Sequence, residues 1–125
     1  MARVNTVELE SAITRCVNLS MNGHISDRSQ DRYMEKATLL RRRFAVLKAK
    51  DFSDSDQGVR SANHQLAEIN NRLEEVKAGF GDIPESVAAL GKLVGTLDTL
   101  ATLVELTLES RLPRIYGSAR ANSRI

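Results

Sequence analysis

The sequence is poor in the residues that staple small proteins covalently or line ligand pockets. Its 125 residues include one cysteine, two histidines and no tryptophan. A single cysteine, Cys16, excludes an internal disulfide and a multi-cysteine zinc site. Two tyrosines and three phenylalanines are the only aromatic residues. The core must therefore be aliphatic, which suits helix packing better than an aromatic ligand pocket.

Proline is also scarce, and both prolines fall late in the chain, at Pro84 and Pro113. No proline therefore prevents helix formation before residue 84. The N-terminal segment lacks the apolar run of a signal peptide. The most apolar stretch, residues 87–108, is long enough to span a bilayer but contains three charged residues, which favours a soluble helix. We expect no transmembrane segment and a cytoplasmic location.

A heptad pattern is what the sequence does contain. Between residues 59 and 108 apolar residues follow one another in alternating steps of three and four, without a break. Such a 3.5-residue repeat keeps one stripe of a helix against a partner helix and predicts helix-on-helix packing. The heptad positions are Val59, Ala62, Leu66, Ile69, Leu73, Val76, Phe80, Ile83, Val87, Leu90, Val94, Leu97, Ala101, Val104 and Leu108.

Apolar periodicity and capping residues predict four helices, over residues 6–21, 27–50, 57–78 and 82–111. Asn5 or Thr6 is the expected N-cap of the first helix. Asp82 and Glu85 form a variant of the capping box at the start of the fourth helix, with Pro84 in its first turn. The connections are short, which favours antiparallel neighbours among the last three helices.

The junction at residues 79–84 admits two structures. The heptad phase continues across it, as it would in one continuous helix over residues 57–111. Two glycines, an aspartate and a proline lie within these six residues, and each of them weakens a helix. The fold class we predict is therefore all-α, an antiparallel four-helix bundle with a short first helix. The alternative is an elongated coiled-coil hairpin with a continuous helix 57–111.

A single domain is expected over residues 1–112, followed by a basic flexible tail at residues 113–125. No constellation for catalysis or metal binding is evident. Neither His24 nor His64 has the preceding glutamate of a di-iron motif, and Cys16 lies on an apolar helix face. Gly91 and Gly95 lack the lysine that follows a phosphate-binding loop. We predict a protein that is not an enzyme and has no cofactor or metal.

The fourth predicted helix carries more apolar surface than a two-helix contact can cover. Leu93 and Leu100 widen its heptad stripe, and Leu103 and Leu106 fall outside it. An uncovered apolar surface of this kind is typical of an association site. We predict a helical interaction or assembly module, with a protein partner and homo-oligomerisation through this helix, at Leu93, Leu100, Leu103 and Leu106. Met34, Leu39 and Val46 on the second helix are candidates for the same patch.

The charge distribution supports a second hypothesis. The whole chain has a formal net charge of +2, but basic side chains dominate residues 26–50 and the tail. A basic helix can follow a nucleic-acid backbone or an anionic surface. No aromatic residues interleave with Arg41, Arg42 and Arg43 as stacking platforms, so this hypothesis is not favoured. Its candidate anion-binding residues are Arg41, Arg42, Arg43, Lys48, Arg114 and Arg120.

Overall fold

The computed structural model describes residues 2–52 and 56–111, the last seven of them by their backbone alone. These residues form four α-helices: α1 (Thr6–Ser20), α2 (Asp27–Leu47), α3 (Gln57–Ala78) and α4 (Ile83–Arg111). The all-α class and the short first helix are confirmed. The second helix ends three residues earlier than predicted, because Lys48 leaves the helical conformation and Ala49 has a φ of 63°. The predicted tail at residues 113–125 lies outside the described residues.

A side-chain acceptor caps the start of every one of these helices. In each case the cap oxygen accepts a hydrogen bond from the amide three residues later, which would otherwise have no partner. The sequence prediction left Asn5 and Thr6 as candidates for the first cap, and the structure selects Asn5. Ser26 caps α2. The N–O distances are 3.1 Å at Asn5, 3.3 Å at Ser26, 3.2 Å at Asp56 and 2.9 Å at Asp82.

Residues 79–82 form a turn between α3 and α4. Gly79 has a left-handed φ of 89°, which glycine adopts without the steric cost of a side chain. The amides of Gly79 and Phe80 donate to the carbonyls of Val76 (3.1 Å) and Glu75 (2.9 Å), the bond pattern of a Schellman cap. The alternative of a continuous helix 57–111 is therefore wrong. Phe80, a predicted heptad position, is 87% exposed because the turn carries it out of the bundle.

The helices pack in a square in which α1 and α4 each contact both α2 and α3. Within the described residues α2 and α3 do not contact each other, so they lie on a diagonal. The expectation that α2 and α3 pack as antiparallel neighbours is wrong. The nine residues between them, 48–56, join opposite corners of the bundle, and a nine-residue connection is long enough for that.

Two pairs of adjacent helices run in the same direction. Tyr33 of α2 bonds to Ser86 near the start of α4, with an oxygen–oxygen distance of 2.7 Å, and α2 and α4 then continue side by side. Across α1 and α3, the Asn5 amide donates to the Asn63 side chain at 2.7 Å. The bundle therefore consists of two antiparallel hairpins, α1–α2 and α3–α4, stacked in the same orientation.

The core is aliphatic, as the composition predicts. Tyr33 is the one aromatic side chain among the buried residues of the described part. Its hydroxyl and that of Ser86 satisfy each other, and Ser86 also donates to the carbonyl of Ile83 at 2.8 Å. The pair therefore avoids the cost of an unpaired buried polar group. The largest fully buried aliphatic side chains are Leu9, Leu40, Leu47, Leu66, Ile69, Leu73, Leu90, Leu93, Leu97 and Leu100.

Candidate interaction surface on α4

Two of the four side chains predicted to drive self-association lie inside the bundle. Leu93 and Leu100 are 0% and 1% exposed, which corrects the expectation that they face a partner. Because α4 sits between α2 and α3, its buried arc is wider than a two-helix contact, and both leucines fall within that arc. Leu103 is 46% exposed and stays a candidate. The side chain of Leu106 lies outside the described part.

The basic residues do not form one patch. Arg41, Arg42 and Lys48 are exposed, and consecutive residues of a helix such as Arg41 and Arg42 point about 100° apart. Arg43 differs from them, because its Nη2 forms an ion pair with Oδ1 of Asp98 at 2.9 Å. Its side chain is only 22% exposed, so it serves the contact between α2 and α4. The predicted candidates Arg114 and Arg120 lie outside the described residues.

The surface of α4 that faces away from the core carries almost no charge. Only Lys92 and Asp98 are charged among the nineteen residues 86–104, whereas nine of the 21 residues of α2 are charged. A solvent-facing helix surface normally carries many charged side chains. We call this surface the outer face of α4. It consists of Ala88, Gly91, Gly95, Thr99 and Thr102, all of them exposed except the half-buried Gly91.

The threonines of the outer face do not present free hydroxyl groups. The Thr99 hydroxyl donates to the carbonyl of Gly95 at 3.1 Å, and the Thr102 hydroxyl donates to the carbonyl of Asp98 at 2.9 Å. Threonine hydroxyls that bond back to their own helix are already satisfied. Covering this face would therefore leave few polar groups without partners, and its desolvation cost is low.

The two glycines of the outer face have no role in the packing of their own chain. A Cβ added at Gly95 would have no atom within 4 Å, and one at Gly91 would meet only Nζ of Lys36, at 3.9 Å. Gly58 differs, because a Cβ there would lie 3.1 Å from Cδ2 of Leu100. An interior helical glycine costs about 1 kcal/mol relative to alanine. The chain's own fold gives no reason for that cost at Gly91 and Gly95.

Apolar side chains of α2 border the outer face. Leu39 and Val46 lie one turn before and one turn after Arg43, so they share its side of the helix. Since Arg43 reaches Asp98, that side is the one next to α4. Both side chains are half-buried. They enlarge the surface that a partner on α4 would cover.

Sequence reasoning selected α4 but not this face of it. The sequence signal of the outer face is the stretch of residues 86–104, which contains only two charged residues. A search for apolar residues overlooks that signal because glycine, alanine and threonine are not strongly apolar. What defines the face is the absence of charge and of bulk.

The other features of the described part do not form a comparable site. A groove of about 500 Å³ between α1 and α3 is lined by side chains of both charges, including Glu10, Arg15, Glu74 and Lys77. Burial raises the pKa of the Cys16 thiol to about 12, so it stays protonated and unreactive. In residues 2–52 and 56–104 no three side chains of His, Cys, Asp or Glu are grouped as metal ligands would be.

Part of α4 is also long and apolar enough to cross a membrane. The segment Ile83–Val104 has a mean hydropathy of 1.5, and one third of it is buried inside the bundle. The central helix of a soluble bundle meets the same criterion, so this property alone is weak support for a membrane span. Comparisons with known protein families, with curated proteins and with solved structures find no match for this chain.

Proposed function

We propose that this chain is a non-enzymatic helical interaction module that pairs with a second copy of itself through the outer face of α4. The observation that carries the proposal is the pair of glycines, Gly91 and Gly95, on a surface with few charges where their own fold does not need them. Small residues at such positions let two helix axes approach closely, so that backbone and side-chain atoms gain van der Waals contacts. The cost of two helical glycines is then offset by association.

A second copy fits this face better than an unrelated partner for two reasons. A face of small residues is complementary to itself, because neither copy needs a pocket for a large side chain of the other. A two-fold contact also uses each favourable feature twice. Leu39 and Val46, which border the face, would be covered in the same contact. One helix from each copy makes a small interface, so we expect a dissociation constant in the micromolar range.

Gly95→Leu tests the proposal, with Ala67→Leu on the exposed side of α3 as the matched control. Both variants place a leucine on a solvent-facing helix surface. In sedimentation equilibrium at concentrations well above that dissociation constant we expect the unchanged protein to show a mass of about twice 13.8 kDa. The Ala67→Leu variant should retain that mass, and the Gly95→Leu variant should be monomeric because the leucine holds the helices apart. A monomeric unchanged protein, or equal association of both variants, would refute the proposal.

Gly95→Ala separates the requirements of association from those of the fold. Its Cβ has open space in the chain itself, so we expect the free energy of unfolding of the monomer to rise by about 1 kcal/mol. Association should weaken, since the added methyl group prevents the closest approach of the helices. Urea titration of the dilute protein measures the first effect and sedimentation the second. A loss of monomer stability would mean that the fold itself needs this glycine.

A further inference from the structure

We infer that the groove between α1 and α3 binds an extended peptide of about four residues with free ends, its ammonium group at Glu10 and its carboxylate at Lys77. The groove has a volume of about 500 Å³, which is within the range of ligand sites. Polar side chains line it, so a second helix there would leave many of them unpaired. Within the described residues α1 does not contact α4. The groove is therefore separate from the outer face of α4, and the inference does not depend on self-association.

The lining of the groove combines a small apolar area with neutral polar groups. Two buried leucines, Leu19 of α1 and Leu73 of α3, form the apolar area. Beside them lie the hydroxyls of Ser11 and Thr14 and the side-chain amide of Asn18. An amide side chain has both donors and an acceptor, so it can pair with a peptide unit. Such a lining suits a peptide backbone with small apolar side chains.

These neutral polar groups are free to bond to a ligand. Other threonines of the helices donate to the carbonyl four residues earlier in their own helix: Thr38, Thr96, Thr99 and Thr102. Thr14 makes no such bond, and the side chains of Ser11 and Asn18 also have no hydrogen-bond partner within the described residues. A peptide backbone can therefore bond to them without breaking an existing hydrogen bond.

The groove has one unpaired charge of each sign, toward opposite ends. Between them Arg15 and Glu74 form an ion pair with each other at 2.9 Å. Glu10 and Lys77 also line the groove, are exposed and form no ion pair within residues 2–52 and 56–104. Since Arg15 is level with Glu74, Lys77 is level with Asn18. Asn18 lies eight residues beyond Glu10, which is about 12 Å along the axis of α1.

A tetrapeptide matches this spacing. An extended chain advances about 3.3–3.6 Å per residue, so the terminal ammonium and carboxylate of four residues lie about 12–13 Å apart. In the proposed direction each end of the peptide meets the opposite charge, at Glu10 and Lys77. In the reverse direction each end would meet a like charge. A dipeptide reaches only one of the two side chains, so the groove selects both the direction and the length of the peptide.

Titration of the full chain with tetra-alanine, followed by amide chemical shifts, tests the inference. We expect shifts confined to the groove and a Kd of about 1 mM or below. Acetylation of the amino end, or amidation of the carboxyl end, should weaken binding about threefold to fivefold, because each removes one exposed ion pair. Dialanine should also bind more weakly. No shift at about 10 mM tetra-alanine, or equal affinity for the peptide blocked at both ends, would overturn the inference.

Glu10→Gln tests the direction of the peptide, and Glu75→Gln, on α3 but outside the groove, is the matched control. Glu10→Gln should weaken binding of the free peptide about threefold to fivefold and leave the acetylated peptide unaffected. Glu75→Gln should change neither. An equal loss for the free and acetylated peptides would overturn the proposed direction. Gly95→Leu should bind tetra-alanine with unchanged affinity, so a failure of peptide binding is distinguishable from a failure of self-association.

Discussion

Comparison of Leu93→Ala with Leu103→Ala distinguishes a residue of the core from a residue of an association surface. Both leucines belong to α4, ten residues apart, and the sequence assigned both to the same surface. Leu93 is fully buried and Leu103 is 46% exposed. The two substitutions remove the same atoms, so any difference in their effects reports on the surroundings of the side chain.

The expected magnitude follows from that burial. Removing three buried carbon groups costs about 2.4 kcal/mol in transfer free energy. The cavity left behind brings the total to about 3–5 kcal/mol, as is usual for buried leucines. That is a large part of the roughly 5–15 kcal/mol by which such domains are stable, and it corresponds to a fall in Tm of about 10–20 °C. At Leu103 we expect less than about 1 kcal/mol.

Urea or thermal unfolding of dilute monomer measures both values without a contribution from association. Sedimentation then shows whether either substitution changes the dissociation constant. If Leu93→Ala cost less than about 1 kcal/mol and weakened association, Leu93 would belong to an interface. The orientation of α4 about its own axis, which determines the residues of its outer face, would then be incorrect.

Two further outcomes follow from the buried polar groups. Tyr33→Phe should lower the free energy of unfolding by about 1 kcal/mol in a urea titration, because Ser86 loses one of its two hydrogen bonds; an unchanged midpoint would contradict this. Burial raises the pKa of Cys16 from 9.0 to about 12, so the unfolded thiol ionises first and stability should fall as pH rises above about 9. A Cys16→Ala variant should lose this part of the pH dependence, and rapid thiol labelling of the native protein at pH 8 would refute the burial.

The sequence predicted local structure well wherever the interactions are local. Caps such as Asp82, and the left-handed Gly79 at the end of α3, act within four residues of the chain, so their residue types indicate the helix ends directly. The hairpin at residues 79–84 was favoured over a continuous helix for the same reason. The cost of glycine and proline in a helix outweighs the continuity of an apolar pattern.

The arrangement of the helices could not be read in the same way. A heptad pattern identifies the one stripe of a helix that contacts a single partner helix. Each helix of a square bundle contacts two neighbours, so its buried surface extends to one side of that stripe. On α4 the arc takes in Leu93 and Leu100, because α3 flanks that side. Which helix flanks which depends on the path of residues 48–56 and on long-range contacts such as that between Asn5 and Asn63. Periodicity contains no information on either.

The stacking of two same-direction hairpins has a consequence for the order of folding. Within each hairpin the contacting residues are close along the chain, because the connections have six residues in α1–α2 and four in α3–α4. Contacts between hairpins join residues several tens of positions apart, such as Tyr33 and Ser86. Contacts of low sequence separation form fastest. We therefore expect each hairpin to close before one hairpin docks on the other.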